Sequence, residues 1–388
     1  MMPLSCRHYT YKSVMITAIR QALAASVVLG LVACGSSQPI VNEGGVPGGK
    51  ACQNDFTPER VAAGEDCDPN LNRTMFCPLV PGSEFLRSRT EIIPCDGVDI
   101  SIHPVVGGGF ETEYIAIHPS GGGTPSAVYL GLHYLNASAA FYGNLTRMTE
   151  LAKARNVLVL LPQAPAGIGL VDVPGLPPIG GNTLSRWPTQ PSQPVEAFSQ
   201  LLDGVVEDGR NRFSARGAPL YVAGLSNGIP MVYFYACGRA NQVEAFLAVA
   251  GTQNNEAAAI CQPSRAVGAV MIHGTADPIV PYGGVGGVLR TIPENFEDFK
   301  AFNQCSGDDR TALFNGASGD VQFDWAPNCA DGRRVVLASL LGNGHNWPGD
   351  DAAPLQEQGI NLGLFGAARN DIDATIQGFD LLRYAAGR

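Results

Sequence analysis

The sequence predicts an α/β fold in which helices cover both faces of a mostly parallel sheet. Two near-continuous apolar runs, SAVYLGLH at residues 126–133 and NVLVLLP at 156–162, are typical of strands buried on both faces. The segment between them, LTRMTELAKAR at 145–155, has helix-forming composition and one apolar face. Because parallel strands need crossover connections, this alternation indicates a parallel sheet, whose ligands bind at the carboxyl ends of its strands.

The same alternation of strand and helix continues to the end of the sequence. An earlier segment, FETEYIAIHP at 110–119, alternates in polarity like a half-buried strand. The expected further strands lie at 219–224, 245–251, 266–274 and 333–342. The expected further helices lie at 194–213, 231–240, 293–302 and 371–386. We therefore expect one α/β domain over residues 96–388.

The composition excludes one class of partner. Hydrophobic residues make up 45% of the chain and charged residues 15%, which fits a compact globular protein. The net charge is −10, and a nucleic-acid-binding protein needs a basic surface that neutralises phosphates. We therefore expect no nucleic-acid partner, and an acidic chain fits a neutral substrate.

The N-terminus has the pattern of an export signal. Basic residues precede the apolar run ALAASVVLGLVA at 22–33, which is too short to span a membrane but suits a signal peptide. The end of the run, LVAC at 31–34, resembles the bacterial lipobox, in which Cys34 would be lipidated after cleavage. Because Gly35 and not aspartate follows, we expect residues 1–33 to be a lipoprotein signal peptide and the outer membrane to hold the anchor. A plain secretory peptide cut near the same place is the alternative.

Export changes the interpretation of the cysteines. Ten are present, and Cys6 and Cys34 belong to the signal and the anchor, which leaves eight in an oxidising compartment where disulfides form. Eight cysteines allow 105 pairings, so the sequence leaves the pairing open. Their clustering suggests local bridges, namely Cys237 with Cys261, Cys305 with Cys329, and Cys52, Cys67, Cys77 and Cys95 among themselves. The sequence has neither C-x-x-C nor H-E-x-x-H, so we expect no metal site.

Two segments precede the expected catalytic domain. Residues 34–50 are rich in glycine, proline and serine, as a flexible tether from an anchor should be. Residues 51–95 carry four cysteines and little periodicity, which indicates a small extension stapled by disulfides.

The stretch VAGLSNGIP at 222–230 supplies a candidate nucleophile. Ser226 lies between Gly224 and Gly228 in a G-x-S-x-G pattern, which is weak evidence by itself in a chain with 47 glycines. Its position between a predicted strand and a predicted helix is the stronger observation, because a serine on such a sharp turn projects above the sheet. The start of the following helix also offers N–H donors to a developing oxyanion.

A nucleophilic serine needs a base and a group that orients the base. Asp277 follows a predicted strand directly in HGTADPIVPY, and His345 lies in the glycine-rich loop GNGHNWPG after the last predicted strand. Ser226, Asp277 and His345 follow one another in the order that serine hydrolases with a parallel sheet use. The other histidines lie upstream of the serine or at the end of a strand, and we therefore expect His345 to be the base.

The sequence also suggests donors for an oxyanion hole and walls for a substrate. The N–H of Asn227 is the first candidate donor, and the N–H of Tyr134 or Leu135, in HYLNAS after a predicted strand, is the second. Trp187 and Trp347 are candidate substrate-binding residues, although such tryptophans more often pack in the core. Such a triad needs no metal or organic cofactor.

These segments resemble the esterases that are grouped with polyhydroxybutyrate depolymerases and feruloyl or acetylxylan esterases. The resemblance rests on LHYLNASAAFYG, VAGLSNG, MIHGTADPIVPY and GNGHNWPG in that order, and on the cysteines of YFYAC and FNQC. It implies an α/β-hydrolase fold, with Ser226 as nucleophile, Asp277 as orienting group and His345 as base. By the same resemblance, Cys237–Cys261 and Cys305–Cys329 look like family disulfides.

The chain departs from that family at two places near the expected nucleophile. It has Tyr134 and Leu135 after His133 where the family usually has glycine and cysteine, and Ile229 where a second glycine usually follows the serine turn. The resemblance implies a carboxylic ester as the substrate, either a hydroxyalkanoate polyester or a feruloyl or acetyl ester of plant walls. A surface-binding lipoprotein on a hydrolase scaffold is the alternative without catalysis.

Overall fold

The computed structural model describes residues 55–65, 76–165, 185–316, 319–349, 362–368 and 370–388. The expected signal peptide, the anchor residue Cys34, the tether, Cys52 and Cys67 lie outside the described residues. Within the described ranges, no helix combines the length and the apolar character that a membrane span requires.

The core of the fold is one mixed sheet. Its strands are β1 (Val98–Gly107), β2 (Phe110–Pro119), β3 (Ala127–Leu132), β4 (Val157–Pro162), β5 (Leu220–Leu225), β6 (Val243–Val249), β7 (Gly268–Gly274), β8 (Arg310–Asn315), β9 (Asp320–Ala326) and β10 (Val335–Leu340). They lie in the order β1-β2-β4-β3-β5-β6-β7-β10-β9-β8. The six strands from β4 to β10 in this order pair in parallel, and the strands beyond them at both edges pair antiparallel.

Helices cover both faces of the sheet, as the sequence predicts. They are α1 (Pro58–Ala62), α2 (Phe85–Ser88), α3 (Ala139–Leu145), α4 (Met148–Arg155), α5 (Val195–Arg212), α6 (Gly228–Gly238), α7 (Asn255–Ile260), α8 (Ile292–Phe302) and α9 (Ile376–Ala385). One core cluster contains buried residues of α3, α4 and α9, and the other contains those of α5, α6 and α8. The alternating side chains of the strands contribute to both clusters because neighbours along a strand face opposite sides.

The prediction of a continuous helix over 145–155 is wrong in its bounds, because the chain turns at Arg147. The chain forms α3, then turns at Arg147 with φ +53°, and then forms α4. The buried Arg147 guanidinium lies 2.5 Å from the Asp373 carboxylate and donates to the Gly349 carbonyl at 2.8 Å. A tertiary contact therefore outweighs local helix propensity at this position.

The last helix and one hairpin also differ from the expectation. The helix expected at 371–386 begins only at Ile376, because the Asp373 carboxylate accepts the N–H groups of Thr375 and Ile376 and so caps the helix start. The sequence pattern predicts neither β8 nor β9, which form an antiparallel hairpin at the sheet edge. Half-buried and buried residues alternate along β9, whereas Phe314 is the one buried residue of β8.

The cysteine-rich segment packs onto the sheet domain. Phe56 is buried against Phe323, with ring centroids 5.6 Å apart, and its N–H donates to the Asp380 carboxylate at 3.3 Å. The Glu59 carboxylate accepts the Trp325 indole N–H at 3.0 Å. These contacts hold residues 55–65 against β9 and α9.

The second half of that segment is held by one buried acid. Cys77 and Cys95 form a disulfide. The Glu150 carboxylate of α4 accepts the N–H groups of Phe76 and Cys77 at 3.0 and 2.9 Å, and its side chain is buried. The amide of Asn144 bonds to the backbone of the same segment.

Replacing Glu150 with alanine tests this anchor. The variant leaves the buried N–H of Cys77 and the part-buried N–H of Phe76 without their acceptor, and a hydrogen bond to a charged group contributes roughly 1.5–3 kcal/mol. We expect Glu150→Ala to lower the free energy of unfolding by about 3 kcal/mol in urea denaturation. The control Glu91→Ala removes a mostly exposed carboxylate paired with Arg87, and we expect a change below about 1 kcal/mol. Equal changes in both variants would contradict the anchoring role.

Candidate active site

Ser226 lies on the turn that joins β5 to α6. Its φ is +53°, in the left-handed region that non-glycine residues seldom adopt. Its N–H donates to the Val249 carbonyl at 3.1 Å, and its own carbonyl accepts the Ile229 N–H at 3.0 Å. These bonds hold the backbone in a strained conformation that directs the hydroxyl away from the sheet.

The glycines around Ser226 are required by close packing. A Cβ at Gly228 would lie 2.5 Å from the Leu132 carbonyl oxygen and 3.0 Å from that of His133. A Cβ at Gly224 would lie 3.0 Å from Val232 in α6. Both positions exclude side chains, so α6 starts directly against the end of β3.

The departure at Ile229 is accommodated by a glycine elsewhere. Ile229 is fully buried, and a Cβ at Gly251 would lie 2.4 Å from the Ile229 Cγ1 atom and 2.8 Å from the Ser226 carbonyl oxygen. The space that a side chain at 251 would fill is therefore occupied by Ile229. The turn keeps its shape with isoleucine at position 229 because Gly251, which faces it just after β6, has no side chain.

The structure brings the three predicted catalytic side chains within hydrogen-bond distance of one another. The His345 Nε2 atom lies 2.9 Å from the Ser226 Oγ atom, and the His345 Nδ1 atom lies 2.8 Å from the Asp277 Oδ2 atom. Ser226 is half-buried, while Asp277 and His345 are buried. Each residue follows the carboxyl end of a parallel strand, namely β5, β7 and β10, which explains why distant parts of the chain meet here.

The Asp277 carboxylate is fully hydrogen-bonded. Its Oδ1 atom accepts the N–H groups of Ile279 and Val280, each at 2.8 Å. Its Oδ2 atom faces the His345 Nδ1 atom and, at 3.2 Å, the His273 Nε2 atom. Burial by itself raises the pKa of the Asp277 carboxyl, but the hydrogen bonds from the two histidine rings outweigh it and hold that pKa well below its ordinary range. The carboxylate is therefore ionised and fixed in orientation.

A segment that the sequence reasoning missed supports His345. The His345 N–H donates to the Phe365 carbonyl at 2.5 Å, and the rings of the two residues stack with centroids 6.3 Å apart. A Cβ at Gly344 would lie 2.1 Å from the Phe365 carbonyl oxygen, so glycine is needed for this approach. The short 3-10 turn Leu362–Phe365 has no hydrophobic period, and only the glycine-rich character of GNGHNWPG hints at a close backbone contact.

The loop after β3 presents a second candidate donor beside the serine. The His133 Nδ1 atom donates to the Tyr134 carbonyl at 2.8 Å, and its Nε2 atom accepts the Ala164 N–H at 3.0 Å. In a trans peptide the C=O and N–H groups point in opposite directions, so the Leu135 N–H points away from the His133 ring. In the described part of the chain, neither the Leu135 N–H nor the Asn227 N–H has a hydrogen-bond acceptor.

His133 is held in its neutral form. Burial lowers the pKa of His133 to about 4, although its bond to the Tyr134 carbonyl opposes this shift. The Ala164 N–H can only donate, so the His133 Nε2 atom must be unprotonated. One tautomer is therefore fixed, and with it the orientation of the peptide between Tyr134 and Leu135.

The two tryptophans proposed for substrate contact lie in the interior. Trp187 is fully buried and donates its indole N–H to the His133 carbonyl at 2.9 Å, while its backbone N–H bonds to the Asn227 side chain at 3.0 Å. Trp347 is also buried and donates to the Thr375 hydroxyl at 2.9 Å. Neither side chain presents surface to a substrate in this structure, and we therefore assign them no substrate role. They brace the loops around His133 and His345.

Two further disulfides lie outside the cluster of Ser226, Asp277 and His345. One joins Cys237 at the end of α6 to Cys261 just after α7, and the other joins Cys305 to Cys329. These are the pairs that the clustering suggested. The first fixes the far end of the helix that begins beside Ser226.

The sheet order and the serine on its strand-to-helix turn together define the α/β-hydrolase fold. No family model matches the sequence, and no curated protein matches it significantly. Among solved structures, the chain is similar to an acetyl xylan esterase from Aspergillus awamori, with 13% identity, coverage of 67% of this chain and 100% of that chain, and a TM-score of 0.45.

Two other solved structures have comparable similarity. Esterase PE8 is 16% identical, with coverage of 68% of this chain and 99% of that chain and a TM-score of 0.40. A ferulic acid esterase is 13% identical, with coverage of 46% of this chain and 80% of that chain and a TM-score of 0.35.

The buried His133 makes stability depend on pH. The unfolded chain protonates this histidine near pH 6.5 but the folded protein only near pH 4, so its stabilisation is complete above pH 6.5 and falls as the pH drops towards 4. We expect a loss of about 3 kcal/mol over this interval, since each pKa unit corresponds to about 1.4 kcal/mol.

The variant His133→Asn isolates this effect. It is less stable at neutral pH but lacks the titrating ring, so the difference in unfolding free energy between wild type and variant should shrink from pH 6.5 to 4. Burial also lowers the pKa of His103, which titrates in both proteins and therefore cancels in the difference. A difference that stays constant across this interval would show that His133 is not held neutral.

Proposed function

We propose that this protein is an exported serine esterase. The observation that carries the proposal is the continuous hydrogen-bonded chain from the Ser226 hydroxyl through His345 to the Asp277 carboxylate. A hydroxyl, an imidazole and a buried carboxylate in this order form the arrangement that activates a serine for acyl transfer. The N–H groups of Asn227 and Leu135, for which the described residues supply no acceptor, support this proposal as the donors for an oxyanion.

The reaction follows from the roles of these groups. His345 takes the proton of Ser226 as the serine oxygen attacks the ester carbonyl, and the Asn227 and Leu135 N–H groups stabilise the negative oxygen of the tetrahedral intermediate. His345 then donates the proton to the departing alcohol. Water, activated by the same imidazole, releases the acid from the acyl-enzyme, and Asp277 stabilises the imidazolium formed in both steps.

The surface beside the triad favours an apolar ester. Leu135 of the oxyanion loop is 49% exposed, Ile279 of the Asp277 loop is 51% exposed, and Phe365, which stacks on His345, is 37% exposed. Each lies on a loop that carries or contacts a triad residue. Exposed apolar residues from three loops are suited to aliphatic chains more than to sugar hydroxyls. We therefore favour a hydroxyalkanoate polyester or its oligomers over feruloyl or acetyl esters of plant walls.

Export and anchoring form the second part of the proposal. Three disulfides within the described residues fit an oxidising compartment. The lipobox-like sequence supports a lipid anchor at Cys34, with attachment to the outer membrane. Labelling with a radioactive or clickable fatty acid in cells, compared with a Cys34→Ala variant, tests the anchor directly.

Substitutions in the triad test the catalytic proposal. Wild type should hydrolyse a short-chain nitrophenyl ester, and Ser226→Ala and His345→Ala should lose this activity. Asp277→Asn should lower kcat by about 10⁴-fold, since it fixes the wrong imidazole tautomer. The matched control Ser199→Ala removes a hydroxyl that bonds within α5 and should retain full turnover. If wild type shows no turnover, a surface-binding lipoprotein on this scaffold becomes the better explanation.

The apolar residue stacked on His345 tests the substrate class. We expect Phe365→Ser to lower kcat/KM for hydroxybutyrate oligomers by about fivefold, since part of a phenyl ring's burial contributes about 1 kcal/mol. Hydrolysis of a nitrophenyl acetate should change by less than twofold, because the bond from the His345 N–H to the backbone carbonyl of residue 365 remains. The control Leu313→Ser alters an exposed apolar residue on the distant strand β8. Release of ferulate from feruloyl esters, or of acetate from xylan, at rates above hydroxybutyrate release would favour the plant-wall alternative.

A further inference from the structure

His273 is a buried histidine that the triad does not include. It is the second-last residue of β7, and it is 2% exposed. Its Nε2 atom lies 2.9 Å from the Val280 carbonyl oxygen and 3.2 Å from the Asp277 Oδ2 atom. It therefore contacts the loop that carries Asp277 at two separate points.

The proton on His273 can be assigned from its partners. The Val280 carbonyl can only accept a hydrogen bond, so the His273 Nε2 atom must carry a proton. The Asp277 Oδ2 atom, which is also an acceptor, lies 3.2 Å from the same nitrogen. A single donor therefore serves both the backbone and the carboxylate of the Asp277 loop.

This donor completes the set around the carboxylate. An ionised carboxylate has about four lone-pair positions. The Oδ1 atom of Asp277 receives two backbone N–H groups, whereas its Oδ2 atom receives His345 and His273. Without His273, the oxygen that faces the catalytic imidazole would keep one donor, and less would oppose rotation of the carboxylate about its terminal bond.

We propose that His273 is a positioning residue that fixes the Asp277 carboxylate in the plane of the His345 imidazole. This inference rests on the proposed function, because it assigns His273 a part in the same triad. It acts through Asp277 and touches no reacting atom. The neighbouring Tyr282 packs edge-on against the His273 ring, with centroids 6.1 Å apart, and this ring contact restrains the imidazole. The Tyr282 hydroxyl bonds to Ser339 at 2.7 Å and does not contact His273.

Three variants separate positioning from packing. His273→Leu keeps the side-chain size but removes the donor, whereas His273→Gln keeps an amide N–H near the position of the Nε2 atom. Tyr282→Phe is the control, since it removes the hydroxyl bonded to Ser339 and leaves the ring packing and Asp277 unchanged. Each is measured by kcat and KM on a nitrophenyl ester, by thermal unfolding, and by the far-downfield proton resonance of the His345 Nδ1–H.

We expect His273→Leu to lower kcat about tenfold or more with KM within twofold, since a hydrogen bond to a charged group is of this order. Its downfield resonance should shift or broaden. His273→Gln should restore most of the turnover, and Tyr282→Phe should change stability but not kcat. If His273→Leu fails to fold, His273→Asn replaces it, because its shorter amide cannot reach Asp277, and the same loss is expected.

Three results would overturn the positioning role. The first is a wild-type kcat in His273→Leu, or in His273→Asn where that replaces it, and the second is a kcat in His273→Gln as low as in that variant. The third is a His345 Nδ1–H resonance that the same variant leaves unchanged. A wild type without ester turnover would instead overturn the proposed function. In that case the resonance still decides whether His273 fixes the contact between Asp277 and His345, so the two failures are distinguishable.

Discussion

The close approach of α6 to the end of β3 is the constraint on which the rest of the site depends. With only hydrogen on the Cα atom of Gly228, the helix start lies against the carbonyl of Leu132, and Ser226 is forced into its left-handed turn. The same approach brings the loop after β3 beside the helix N-terminus, where backbone N–H groups converge. Neighbouring parallel strands then deliver Asp277 and His345 to the same edge.

The sequence alone predicts the parallel core of the sheet and the proximity of the Ser226, Asp277 and His345 side chains. Continuous apolar runs identified the central strands, because a strand covered on both faces has no polar side. Ser226, Asp277 and His345 each follow such a run, and parallel strands share a carboxyl edge, so their proximity follows from the topology alone. The fold class is confirmed by the sheet order and its two helical layers.

The features that the sequence does not predict depend on tertiary contacts, which leave no periodic pattern in the sequence. The break between α3 and α4 at Arg147 is set by Asp373, far away in sequence. The support of His345 by Phe365 comes from a short turn without apolar spacing. The position of His273 at the end of a strand does not predict a role beside Ser226, yet its ring lies 3.2 Å from the carboxylate of Asp277, four residues later in the sequence. In the sequence, Trp187 and Trp347 are candidates for contact with a substrate. In the structure both are buried and donate their indole N–H groups to the protein, so they stabilise the loops around His133 and His345.

The contact between Phe56 and Asp380 has a consequence for the order of folding. It joins residues 324 positions apart, and Asp380 also pairs with Arg155 of α4 at 2.8 Å. Contacts between such distant residues form late, because the closure entropy of a long loop must be overcome first. The N-terminal segment can therefore dock only after the last helix has been synthesised and placed. This contact between the first described residues and the last helix therefore completes the structure at the end of folding.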